Sequence, residues 1–300
     1  MPIGKSIRIY LADATVTGIR CAELVNWTGQ GLACPRSRLG ELKNWPEASK
    51  PGVYFLFEGR SSDSKSLAYI GESENVLERL TMHDRQKEFW SEVVIFSSKD
   101  DNLTKAHVKY LESVLVTLAK DADRYQLENG NTPTASSLPR ADRDAMEEFI
   151  ENSRMVLGVL GYTILEPLLP ANKLNPGGSH TNDLSGANNP LMNLSFTING
   201  LVAKGALTDE GFVLKKGSQF SKNKSESMPG KLANFKSQMI ATGSLVEHPD
   251  YFLAVNDLLL SSSSYAAAIV AGTSRSGPQS WRTSDGQTLR QREDSSLQIN

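Results

Sequence analysis

The stretch "PGVYFLFEGRSSDSKSLAYIGESENVLERL", residues 51–80, constrains the fold more than any other part of the chain. "GVYFLF" and "LAYIG" are short, apolar and aromatic-rich; Pro51, Gly59 and Gly71 bound them, and the turn-forming "EGRSSDSKS" separates them. Aromatic and β-branched residues held between turn formers predict a hairpin with a long loop. "ESENVLERLTMH" then predicts a helix, with Ser73 as candidate N-cap and Val76, Leu77 and Leu80 as its apolar stripe. "FWSEVVIFSS" predicts a third strand. "LTKAHVKYLESVLVTLAKD", with Ala106, Tyr110, Val114, Leu115 and Leu118 at helical spacing, and "ADRDAMEEFIENSRMVLGVLGY" predict two more helices. The order implies an α+β domain over residues 50–165: a small three-stranded mixed or antiparallel sheet flanked by helices.

Three hundred residues fit one or two domains. Residues 1–49 read as an N-terminal extension. It holds a short strand in "SIRIYLA", a helical or bent connection in "TGIRCAELVNW", and a short amphipathic helix in "PRSRLGELKNW". Residues 166–195 are rich in Pro, Gly, Asn and Ser with no apolar period, as in a flexible linker. Residues 196–290 suggest a second small α+β domain. Its parts are strands and turns in "LSFTINGLVAKGALTDEGFVLKKGSQF", a helix in "KLANFKSQMIATGSL" ending at Gly243, a strand in "YFLAVNDLLLSS" and a capped helix in "SSSYAAAIVAG". The last ten residues, 291–300, are expected to be without fixed structure.

No apolar run approaches the length that spans a bilayer, and the N-terminus lacks the apolar core of a secretory signal. Cys21 and Cys34 are the only cysteines and form no zinc-ligand cluster, which fits a reducing, cytoplasmic setting. The net charge of −2 argues against a protein that coats nucleic acid. It leaves room for a catalytic site, which needs only local carboxylates and a local basic face.

A lone strand tyrosine is ordinarily a packing residue. Two adjacent antiparallel strands can, however, bring Tyr54 and Tyr69 onto one face, and the following helix can present Arg79 to it, with His83 one turn further. Glu112 stands among apolar neighbours in "KYLESVLV", either an exposed helix flank or a single metal ligand. His107, five residues before Glu112, points away from it, and Tyr110 reads as packing. His180 and His248 carry no assignment. No nucleophile elbow and no P-loop is present.

Together these residues resemble the GIY-YIG nucleases. Gly52-Val53-Tyr54 matches the first motif with Val for Ile, and Tyr69-Ile70-Gly71 matches the second. Arg79, His83 and Glu112 fall where that family carries its helix arginine, its histidine and its metal-binding glutamate. "ENGNTPT" offers the asparagine, as Asn129 in preference to Asn131. The loop between the tyrosines is slightly longer than the family's. The resemblance spans residues 50–165 and implies a Mg²⁺- or Mn²⁺-dependent endonuclease, with Glu112 holding the metal. Arg79 would stabilise charge on the phosphate, and Tyr54 would accept or relay the proton of water. Tyr69 and His83 would orient water or phosphate, and Asn129 would hold the site together. The partner implied is nucleic acid, with DNA expected. The alternative is a catalytically inactive nucleic-acid-binding protein on the same scaffold.

Residues 212–240 set six lysines, Lys215, Lys216, Lys222, Lys224, Lys231 and Lys236, against Glu226 alone, a local charge of +5. These are either a solvated loop or a phosphate-tracking patch. Residues 210–290 also resemble the DUF4357 module found in some GIY-YIG proteins, through "FVLKKGS", "LLLSSSSYAAAIVAG" and "SGPQSWRTSDGQTL". They are distantly similar to the RAMA module of restriction and modification enzymes, with Pro278 where that module carries an aromatic. Both resemblances imply DNA contact. Trp281 fits a core position better than a base-stacking one.

Overall fold

The computed structural model describes residues 3–59, 65–134, 136–169, 192–223 and 225–297. The chain divides into two compact units, Met1–Pro167 and Leu168–Asn300. No helix among the described residues is long and apolar enough to cross a membrane.

The first unit is α+β, built on one mixed sheet. Its strands are β1 (Ile7–Leu11), β2 (Arg20–Leu24), β3 (Gly29–Pro35), β4 (Gly52–Glu58), β5 (Leu67–Ser73), β6 (Trp90–Ser98) and β7 (Gln126–Leu127). They lie in the order β1-β2-β3-β6-β4-β5-β7, and every pair is antiparallel except β5 with β7. The sheet therefore has seven strands, not the expected three. The added strands come largely from residues 7–35. "RCAEL" suits a helix by composition, and "GQGLACP" is glycine-rich with no clean alternation. What makes "GQGLACP" a strand is the ladder from Gly29–Pro35 to Glu92–Ser98 on β6, a pairing across some sixty residues that overrides local preference, and "RCAEL" pairs in turn with β3 and β1. Gly31 also permits close packing there, since a Cβ would lie 2.9 Å from Val156 Cγ1. Arg36–Asn44 is helical as expected, but as a 3-10 helix that buries Leu39 and Leu42.

Three helices complete the unit: α1 (Val76–Gln86), α2 (Lys105–Ala122) and α3 (Arg140–Leu160). Alternation along β4 sends Val53, Phe55 and Phe57 into one core with α2 and α3. Tyr54 and Leu56 go into a second core with α1 and the 3-10 segment. The N-cap of α1 is Asn75, whose side chain accepts from Glu78 N; Ser73 instead closes β5.

The second unit carries a four-stranded sheet, β14-β10-β9-β8, and a three-stranded sheet, β11-β13-β12. The strands are β8 (Asn193–Ile198), β9 (Leu201–Thr208), β10 (Gly211–Leu214), β11 (Gln219–Ser221), β12 (Leu245–Glu247), β13 (Tyr251–Ala254) and β14 (Leu258–Leu260). "YFLAVNDLLLSS" thus forms two strands rather than one. Helices α4 (Gly230–Ala241), α5 (Ser263–Ala271), α6 (Gly277–Ser280) and α7 (Leu289–Leu297) accompany them, so residues 291–297 are helical, contrary to expectation. Trp281 is fully buried against Phe196 and Phe212, with its indole N–H donating to Ser263 O at 2.9 Å. That is a core position, not a stacking platform. Most of the expected linker, and residues 298–300, lie outside the described residues.

Candidate active site

The β4–β5 register sets Tyr54 opposite Gly71 and Leu56 opposite Tyr69, so the two tyrosines are diagonal neighbours on one face, with ring centroids 6.2 Å apart. Gly71 is required by this packing. A Cβ there would lie 2.4 Å from Tyr54 Oη and 2.9 Å from Tyr69 Cε1. The glycine of the second motif thus makes room for the tyrosine of the first.

Helix α1 brings Arg79 and His83 to the same face. His83 Nε2 lies 2.8 Å from Tyr54 Oη, and its ring meets Tyr69 edge-on at 5.3 Å. The Arg79 guanidinium lies near enough to both tyrosine hydroxyls to favour their ionised forms. Arg79 has no lone pair to offer, so Tyr54 exchanges its proton with His83 in a direction set by the imidazole tautomer. Burial raises the pKa of both phenols, with Arg79 opposing it. Burial, then Arg79 and Lys87, push His83 down to about 4, so the imidazole is neutral at pH 7. Its Nδ1 is buried with no hydrogen-bond partner among the described residues.

The other two residues arrive around the open edge of β5. Strand β7 pairs only with Leu67 and Ala68, and Glu128 N then donates to Ala68 O at 2.8 Å. Beyond that point side chains finish the edge. Asn129 accepts from Ile70 N at 3.0 Å and donates to Ile70 O at 2.7 Å, whereas Asn131 is exposed. The Glu112 carboxylate, reaching from α2, lies near the backbone N–H of Glu72, which favours its ionised form. Burial, and then the charge of Glu72, push Glu112 up to about 7, while Arg79 and Lys105 pull it back.

The structure thus gathers Tyr54, Tyr69, Arg79, His83, Glu112 and Asn129 around one strand edge. It adds three residues that motif spacing did not single out. Glu72 follows the motif glycine, and strand alternation places its side chain on the α2 side. Lys105 Nζ lies 3.2 Å from Glu72 and 3.6 Å from Glu74. Lys87 Nζ sits 4.4 Å from the centroid of the Tyr69 ring. His107 serves elsewhere, capping α2 with Thr104, and Tyr110 donates to Glu147 at 2.5 Å.

The donor set suits a hard divalent cation. Glu112 is a carboxylate short of positive charge, and Mg²⁺ needs few protein oxygens because it retains waters. No cluster of three metal-ligating side chains exists among the described residues, so any bound ion would rest on one or two carboxylates.

The lysines of the second unit differ in their surroundings. Lys236 is buried and donates to Ser221 O, and burial lowers its pKa to about 8. Lys222 pairs with Glu247 at 2.7 Å. Lys215 donates to Asn193 at 2.7 Å. Lys216 and Lys231 are exposed, and Lys224 lies outside the described residues.

Residues 194–293 match the family described as "Domain of unknown function (DUF4357)", so the second unit carries a DUF4357 domain. No curated protein and no solved structure matches the chain.

Proposed function

We propose that the first unit is a Mg²⁺- or Mn²⁺-dependent endonuclease that hydrolyses phosphodiester bonds of DNA in the manner of the GIY-YIG nucleases, with the DUF4357 domain aiding DNA binding. One observation carries this: Tyr54, Tyr69, Arg79 and His83 share a hydrogen-bonded and ring-packed cluster, within electrostatic range of the poorly neutralised Glu112.

Phosphodiester hydrolysis requires an oriented water, neutralisation of the phosphoryl oxygens and help for the departing oxygen. Arg79 is exposed and planar, and offers its remaining N–H groups to phosphate oxygens. Tyr69, half-buried, presents its hydroxyl to an attacking water. Tyr54 is 0% exposed, so it serves as the inner link that passes a proton toward His83 and fixes Arg79. Asn129 holds the β5 edge on which Tyr69 and Glu72 stand. A divalent ion on Glu112, with Glu72 beside it, would supply Lewis-acid stabilisation of the leaving oxygen.

The burial of Tyr54 also favours a second reading, a nucleic-acid-binding protein that keeps the scaffold without turnover. Incubation with plasmid DNA and Mg²⁺, beside Glu112→Ala and Arg79→Ala, separates the two. Cleavage by the parent alone supports the enzyme. Binding without cleavage, unchanged in both variants, overturns it.

A further inference from the structure

We infer that Lys87 is a second phosphate-binding cation of this site, contacting a backbone phosphate next to the scissile one. The inference rests on the nuclease reading above and adds a substrate contact to it. Lys87 is the first residue past α1, and its N–H donates to His83 O at 2.8 Å, which ties its backbone to the residue beneath Tyr54. Its ammonium stands 4.4 Å from the centroid of the half-buried Tyr69 ring.

Several cations of the first unit have carboxylate partners. Lys105 pairs with Glu72 and Glu74, Arg36 with Asp84 and Arg20 with Glu92. Lys87 has no carboxylate within ion-pair distance among the described residues. Its charge also bears on His83, as does that of Arg79. An unpaired ammonium held on an aromatic face beside a neutral imidazole is a ready seat for a monoanion. A nucleic-acid strand that places one phosphodiester at Arg79 brings its neighbour along the tyrosine wall. A polyanion with phosphates at backbone spacing satisfies both cations at once, and an isolated phosphate satisfies only one.

The test uses the full chain with Glu112→Gln to prevent turnover, with and without Lys87→Gln. Binding to a short DNA duplex is read by fluorescence anisotropy over a series of KCl concentrations. Loss of the contact weakens binding about three- to ten-fold and makes the slope of log K against log salt shallower by about one. Lys87→Arg restores both. In the cleaving protein, Lys87→Gln raises KM and leaves kcat within about two-fold, since the contact is made equally in ground and transition states. If the parent cleaves DNA while Lys87→Gln shows the same slope and KM, the inference fails and the nuclease reading stands. A drop in Tm with an unchanged slope assigns Lys87 a structural role and overturns the inference as well. A parent that neither binds nor cleaves the duplex overturns both.

Discussion

Ionising Glu112 costs the folded protein stability, and Glu112→Gln should remove that cost. Burial and the neighbouring Glu72 raise the carboxyl from its ordinary 4.5 to about 7, and the opposing charges of Arg79 and Lys105 do not cancel them. At about 1.4 kcal/mol per pH unit, the ionised side chain destabilises the fold by at most about 3.5 kcal/mol above pH 7. Solvent reaches the half-buried carboxylate and screens it, so about 1–2 kcal/mol is the expected figure. The sign follows from linkage. The folded state holds this proton more tightly than the unfolded state does. Below pH 4.5 both states are protonated and the penalty is absent; it grows as pH rises from 4.5 to about 7 and is complete above that. Glutamine keeps an oxygen facing the Glu72 N–H and removes the titration. In EDTA, the variant should therefore be more stable than the parent by about 1–2 kcal/mol at about pH 8, and equal to it near pH 4.5. Urea denaturation followed by circular dichroism and tryptophan fluorescence measures this, with the transitions of the two units fitted separately. Adding Mg²⁺ should close the gap by stabilising the parent only. A variant less stable than the parent at pH 8, or a gap that does not change with pH, would refute the reasoning.

Three further outcomes are expected. Gly71→Ala sets a methyl 2.4 Å from the buried Tyr54 hydroxyl; it should cost about 1–3 kcal/mol in thermal unfolding and reduce cleavage at least ten-fold. Parent-like unfolding and cleavage would show that Tyr54 can move aside. Asn129→Ala leaves Ile70 N–H and C=O without their partner, with an expected loss of about 2 kcal/mol and faster amide exchange at Ile70. Unchanged exchange would show that water replaces the side chain without penalty. Trp281→Ala empties the centre of the second unit's core and should cost about 3–5 kcal/mol. Retained stability with weakened DNA binding would return Trp281 to a stacking role.

Much of the site was legible because its spacing follows strand and helix periods. Tyr54 and Tyr69 share a face by alternation across a hairpin, and Arg79 and His83 share one by the helical turn. Glu112 and Asn129 come from elements with no local tie to the hairpin, and residue spacing alone did not dictate where they arrive. Lys87 and Glu72 were not singled out, because a lysine past a helix end and a glutamate in a strand look like ordinary surface charges. What distinguishes them is a ring under one and a desolvated carboxylate beside the other.

The sequence by itself determined the local elements: the hairpin, the helix after it, the strand Trp90–Ser98, the two long helices and the α+β character of both halves. These depend on interactions within a few residues of one another. Only the tertiary structure decided that residues 7–35 join the sheet, because "GQGLACP" takes its conformation from β6, some sixty residues on, and "RCAEL" is paired between β1 and that anchored strand. It likewise decided which charges remain unsatisfied. Lys236 and Lys222 are engaged within their own unit, whereas Glu112 is half-buried with too little positive charge around it. Burial and counter-charge are properties of neighbours in space, and a one-dimensional pattern carries them only where chain separation is short.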